Sequence, residues 1–376
     1  MKPSGRIYWI AAAALTFLCS SAALAQIRIG QTSGFTGIAS TAVNEINAGA
    51  KLYLNAVNAE GGINGQQIEL VSLDDKSQIP LVVQNATQLI ADEKVVGLFL
   101  SRGTPQTQAI LPLLAPGRIA LIAPSTGAMA LHSPVHPYVF NVRATYQREA
   151  EHVVRHLGLT GLDKVALIYV NDSFGEDAIQ GAMRVFKEAQ VTPKMVQAVD
   201  RDKPDYASLM PKLTELKPLG VIIVASPTSV TAGVHAMRAA GLRATVATLS
   251  NNAAGGFVTA LGRDAGSVIV SQVFPSERRL AVPMIAEASR MAAAQKAGPL
   301  TPAMIEGFAA AKVLVAGLRR AERESKVITR VSLKRALESL DHFDIGGLEV
   351  TYSPTDHTGL DFADLSIIGA DGTFRR

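Results

Sequence analysis

The chain has 376 residues with 36 lysines and arginines against 32 aspartates and glutamates, a formal charge of +4 and a single cysteine. No basic face with interleaved aromatics stands out, which excludes a nucleic-acid partner, and one cysteine excludes an internal disulfide. A chain of this length exceeds what one hydrophobic core organises, so two domains are expected.

The N-terminus reads as a secretory signal peptide over residues 1–25. Lys2 and Arg6 form a basic n-region, residues 7–18 are an apolar stretch too short for an ordinary membrane span, and Ala23-Leu24-Ala25 is a small-x-small cleavage site. Cys19 lies inside this segment, and the bulky Phe17-Leu18 before it argues against a lipoprotein site. The mature chain then begins near Gln26, without a thiol, and removal of Lys2 and Arg6 leaves a charge of +2. The expectation is a periplasmic protein.

A short strand, Ile27-Arg28-Ile29-Gly30, is followed by a glycine-rich loop to Gly37 and a helix over 42–60. The turn Glu60-Gly61-Gly62-Ile63-Asn64-Gly65 then leads into a second strand, Gln67 to Asp75. Further on, strand-length apolar runs at 95–100, 120–123, 165–170, 221–225 and 246–249 alternate with amphipathic segments at 79–92, 146–159, 177–190 and 230–240. Such alternation predicts an α/β protein with parallel sheets covered by helices on both faces. Ligands of open α/β sheets sit beyond the carboxyl ends of the strands. The loops there are Ser101-Arg102-Gly103-Thr104-Pro105, Ala123-Pro124-Ser125-Thr126-Gly127, Asn171-Asp172-Ser173-Phe174-Gly175 and Ala225-Ser226-Pro227-Thr228. Thr104 suits an N-cap and Pro105 a first helical position, so free N–H groups there can face a carboxylate or simply cap a helix.

The order of the opening strand, glycine loop, helix and Gly-Gly-Ile-Asn-Gly turn resembles the type I periplasmic solute-binding proteins, and more narrowly the leucine/isoleucine/valine-binding receptors of ABC importers. The resemblance implies two Rossmann-like lobes with parallel central sheets, joined by a three-stranded hinge. Lobe one is expected over residues 26–143 plus 274–351 and lobe two over 144–273 plus 352–376, with crossings near 142–145, 272–275 and 352–355. Residues beyond Pro283 are expected to be scaffold completing lobe one. It also implies capture of a branched-chain amino acid or a related small carboxylate-bearing solute by a monomer, and delivery to an inner-membrane ABC permease. A sensor kinase or chemoreceptor could read the same closed form instead.

On the family pattern Ser101 falls on a hydroxyl position for the ligand, Ser125 on a backbone-contact position and Phe174 on an aromatic lid. Phe35 and Thr36 lie in the loop that lines the side-chain pocket. Tyr146 reaches either a cleft or the packing between lobes, whereas Arg143 and Arg148 suggest hinge or surface ion pairs. The departures are informative. Gly127 stands where a threonine is expected, with Thr126 one residue earlier. The segment expected to carry an acid for the ligand ammonium reads Ser250-Asn251-Asn252. Ala39 and Ser226 replace two aromatic positions. Arg102 replaces a small residue, and its fork either takes a carboxylate alongside the N–H groups of Gly103 and Thr104 or meets solvent or the other lobe. A gained cation and a missing anion tilt the cleft toward acids lacking an amino group.

An enzyme is the competing class. Gly30, Gly34 and Gly37 depart from the G-x-G-x-x-G spacing of a dinucleotide loop. His132 and His136 flank Pro134 without further ligands and read as a rigid surface turn rather than a metal site. Asp341-His342 and Asp356-His357 lack any nucleophile elbow. No cofactor, metal or catalytic residue is therefore expected.

Overall fold

The computed structural model describes residues 26–376; the expected signal segment lies outside the described residues. The chain begins with β1 (Gln26–Ser33), α1 (Ser40–Ala59), β2 (Gln67–Asp74), α2 (Ile79–Ala91), β3 (Val95–Phe99), α3 (Thr104–Leu114), β4 (Ala120–Ile122) and β5 (Val139–Phe140). It continues through α4 (Tyr146–Leu159), β6 (Val165–Val170), α5 (Ser173–Glu188), β7 (Met195–Val199), α6 (Met210–Leu216), β8 (Gly220–Val224), α7 (Pro227–Ala239), β9 (Thr245–Thr248), α8 (Gly255–Leu261) and β10 (Val268–Gln272). The last part supplies α9 (Pro283–Ala294), α10 (Pro302–Ser325), α11 (Arg330–Glu338), β11 (Phe343–Asp344), β12 (Glu349–Val350), β13 (Asp364–Ile368) and β14 (Phe374–Arg375).

These elements build two lobes. The first holds a five-stranded parallel sheet, β2-β1-β3-β4-β5. The second holds a seven-stranded sheet, β14-β13-β10-β9-β8-β6-β7, in which β13 alone is reversed, running antiparallel to both β10 and β14. Strands covered by helices on both sides must be apolar throughout. Val95–Phe99 and Gly220–Val224 are accordingly buried at every position.

In the first lobe, α1 and α10 cross at backbone contact. A Cβ at Gly49 would stand 1.8 Å from the Met304 carbonyl oxygen, and one at Gly307 the same distance from that of Ile46. Both positions therefore require glycine.

The chain passes between lobes where the buried clusters change hands. Val142 and Ala144 pack with the first lobe, and Tyr146 and Ala150 with the second. Val270 packs with the second, and Val273 and Phe274 with the first. Tyr352 and Leu360 still belong to the first core, and the second sheet takes up the chain only at Asp364. The last passage thus lies later than the expected 352–355. Tyr352 holds it back, because its hydroxyl donates to the Asn141 carbonyl (2.5 Å) and its ring meets Phe140 edge-on.

Against the sequence expectation of a surface turn, His132 is buried, with both ring nitrogens unpartnered. Burial, aided by the charge of Arg143, pushes its pKa down to about 4. The native imidazole stays neutral where the unfolded one, at about 6.5, already takes a proton. Stability is therefore unaffected above pH 6.5 and falls as pH drops toward 4, by about 3 kcal/mol in total. His132→Leu should flatten that part of the urea-unfolding pH profile; an unchanged profile would assign the loss to other groups. His357 is also buried, stacked 4.1 Å from the Phe140 ring with Nδ1 2.9 Å from the Val139 carbonyl, which is a packing role.

Candidate functional site

At the carboxyl ends of β3 and β4, the backbone turns sharply. Leu100 and Ala123 both have positive φ, 52° and 51°, and are buried. Such a conformation costs a non-glycine residue about 1–2 kcal/mol and persists only where the surroundings over-determine it, which happens preferentially at ligand sites. The two turns aim the loops at 101–103 and 124–127 into the space between the lobes. Gly103, at φ 91°, then opens α3.

A cavity of about 60 Å³ lies there, walled by Ile38, Ala39, Ser77, Arg102, Gly103, Thr104, Gln106 and Ser125 of the first lobe and by Tyr146, Phe174, Arg201, Ser226, Pro227 and Asn251 of the second. Of the residues expected from sequence, Arg102, Gly103, Ser125, Tyr146, Phe174 and Ser226 form this wall. Tyr146 and Phe174 meet edge-on, ring centroids 4.7 Å apart, and make its aromatic side. Ser226 caps α7, accepting from the Ser229 N–H at 3.3 Å.

The remaining expected residues stand elsewhere. Ser101 is buried behind the wall, its hydroxyl 3.1 Å from that of Thr107, and Thr126 is buried with its hydroxyl 2.8 Å from that of Thr104. Gly127 has no room for a side chain, because a Cβ would meet the Ala144 carbonyl oxygen at 2.6 Å and the Tyr146 nitrogen at 2.7 Å. The hydroxyl missing at that position is thus sterically barred. Ser250 lies one layer down, accepting from Arg143 at 2.7 Å. Phe35 is partly buried outside the wall, and Ile38 and Ala39 take its place.

Arg102 is the central charge. Its Nη1 donates to Ser125 Oγ and its Nη2 to the Asn251 carbonyl of the other lobe, both at 2.9 Å. Arg102 thus lines the cavity and also meets the other lobe, the second of the two expected alternatives. No carboxylate among the described residues lies within ion-pair distance of it. Burial holds its pKa below the ordinary arginine value, with Tyr146 and Glu306 opposing. Arg201, the other cation of the wall, is neutralised by Asp172, which also caps α5.

The acids that sequence reasoning missed lie beneath the cavity. Arg143 is buried rather than exposed, paired with Glu149 of α4 and 3.8 Å from Glu306 of α10. Burial lowers the Arg143 pKa, but Glu149, Tyr146 and Glu306 more than offset it and the net shift is upward. Glu149 also accepts from the Ser250 N–H at 2.8 Å and from the Ser271 hydroxyl. Neither acid lines the cavity. Glu306 comes from α10, beyond Pro283. Thr301, just before α10, donates at 2.7 Å to Glu45, the α1 acid that also accepts from the Gly255 and Gly256 N–H groups. The only sequence signal for Glu149 was its helix position, one turn into α4.

Two α/β lobes facing a small cavity between them have the architecture of a solute-binding protein. The chain belongs to the periplasmic binding protein family, whose model matches residues 26–363. This is a family of periplasmic binding proteins and not of enzymes. Among curated relatives, the Leu/Ile/Val-binding protein homolog 3 of Brucella melitensis biotype 1 is 24% identical over 214 residues, 56% of this chain and 56% of its own length. The chain thus matches little more than half the length of such relatives. A substrate-binding periplasmic protein from Ralstonia solanacearum has a TM-score of 0.82 at 28% identity, covering 93% of this chain and 99% of that one. A branched-chain amino acid ABC transporter protein from Thermus thermophilus with bound valine shares the fold, with a TM-score of 0.80 at 20% identity over 93% of this chain and 95% of that one.

Proposed function

We propose that the chain is the extracytoplasmic receptor of an ABC importer, exported by cleavage near Ala25, and that it captures a small carboxylate-bearing solute as its lobes close. The ligand class is a branched-chain amino acid or its deaminated analogue. Arg102 carries this reading: a partly desolvated guanidinium on the cavity wall, without an anion of its own, is stabilised by a ligand carboxylate. The free N–H groups at the start of α3 add to it. Because Arg102 also bonds Asn251 across the cleft, a carboxylate placed on it is held only by the closed form, and binding then drives closure. The proposed lobes are 26–144 with 273–360, and 146–272 with 364–376, moving about the three passages. Delivery to an inner-membrane permease as a monomer rests on the kind of protein the relatives are.

A thermal-shift screen of ligand-stripped, refolded protein tests the reading. Leucine, isoleucine and valine are compared with 4-methylpentanoate and 2-oxoacids. A ligand at a hundred times its Kd should add about 2.7 kcal/mol to stability. Stabilisation by acids of both kinds supports the Arg102 site; response to neither sinks it.

A further inference from the structure

Beside the small cavity lies a hollow of about 760 Å³. Ile38, Ser77, Gln106 and Arg201 line both, so the two spaces adjoin across these side chains. Ile79, Pro80 and Pro105 complete an apolar strip along the outer space. Ile38 and Ile79 are 47% and 43% exposed. Single exposed isoleucines are ordinary, but two set beside two prolines at the mouth of a cleft form a patch. The charges of the outer space cancel, with Lys76 and Arg201 against Asp172 and Asp202. It offers no unmatched charge for a second ionic group.

We propose that the two spaces form one site and that its ligand is an acid with an uncharged apolar chain longer than a leucine side chain. The carboxylate rests on Arg102 and the chain runs outward over Ile38, Ile79, Pro80 and Pro105. Ala39 and Ser226, small where the resemblance led one to expect aromatics, leave room at the inner wall. This inference rests on the reading of Arg102 as the carboxylate site.

Calorimetric titration of ligand-stripped protein with butanoate, octanoate and leucine tests it. Octanoate should bind about tenfold more tightly than butanoate, a modest share of the roughly fourfold gain available per buried methylene. Ile79→Ser and Ile79→Thr, at an exposed position outside the inner cavity wall, should each weaken octanoate several-fold and leave butanoate unchanged. If octanoate binds no better than butanoate, or neither substitution affects it, the extended site is refuted while the Arg102 reading stands. If no acid binds, the Arg102 reading fails and this inference falls with it.

Discussion

Arg102→Ala folds, melts close to its parent and gains no stability from added carboxylates. The side chain has no ionic partner in contact, only Ser125 Oγ and the Asn251 carbonyl, so folding loses little by its removal. Binding loses the charge-assisted bonds to the ligand and one of the bonds across the cleft. Truncating one partner of a desolvated charge pair costs about 2–5 kcal/mol, and a Kd weaker by a hundredfold or more is the expected reading by calorimetry. Arg102→Lys should recover part of this, since the charge returns without the fork. An Arg102→Ala protein that binds acids as tightly as its parent would show that the residue serves closure alone.

Glu149→Ala is the substitution with the largest expected effect on folding. Glu149 is fully buried, and its removal takes the paired charge from Arg143, the acceptor from the Ser250 N–H and the acceptor from the Ser271 hydroxyl. Breaking a buried pair from one side costs about 3–5 kcal/mol because a charge stays behind unmatched. Glu306, at 3.8 Å from Arg143, compensates only in part. The urea midpoint should fall with an unchanged slope. Glu149→Gln, which keeps an acceptor of the same shape, should lose less. Equal losses in the two variants would place the cost in the charge alone, and no loss in either would remove the pair from the list of what holds the hinge region together.

The strands and helices were legible because each has its own local signal. Residues 146–159 and 165–170 occur as the predicted elements at the same bounds, and the other predicted helices and strands shift at their ends by a few residues. Apolar runs buried on both faces and helices with one apolar stripe need no long-range information to be recognised. Of the expected residues found on the cavity wall, Arg102, Gly103, Ser125, Phe174 and Ser226 lie at strand ends, where parallel topology directs a ligand, and Tyr146 opens α4.

What sequence missed depends on distances between elements far apart in the chain. The segment after β9 has no acid of its own, and the carboxylates nearest it come from distant parts of the chain, Glu149 of α4 at Ser250 and Glu306 of α10, both facing Arg143 beneath the cavity. Ser101 and Thr126 are hydroxyls at strand ends like Ser125, but Thr107 and Thr104 occupy them, a pairing set by how two loops pack.

The sequence by itself determined the alternating α/β architecture and the ends of the strands where a ligand belongs, because hydrophobic periodicity and turn chemistry are local; the two-lobed class came from the family resemblance. Only the tertiary structure decided which polar side chains face the cleft and which satisfy each other behind it. A buried polar group must find a partner, and the nearest partner is set by packing rather than by position in the chain.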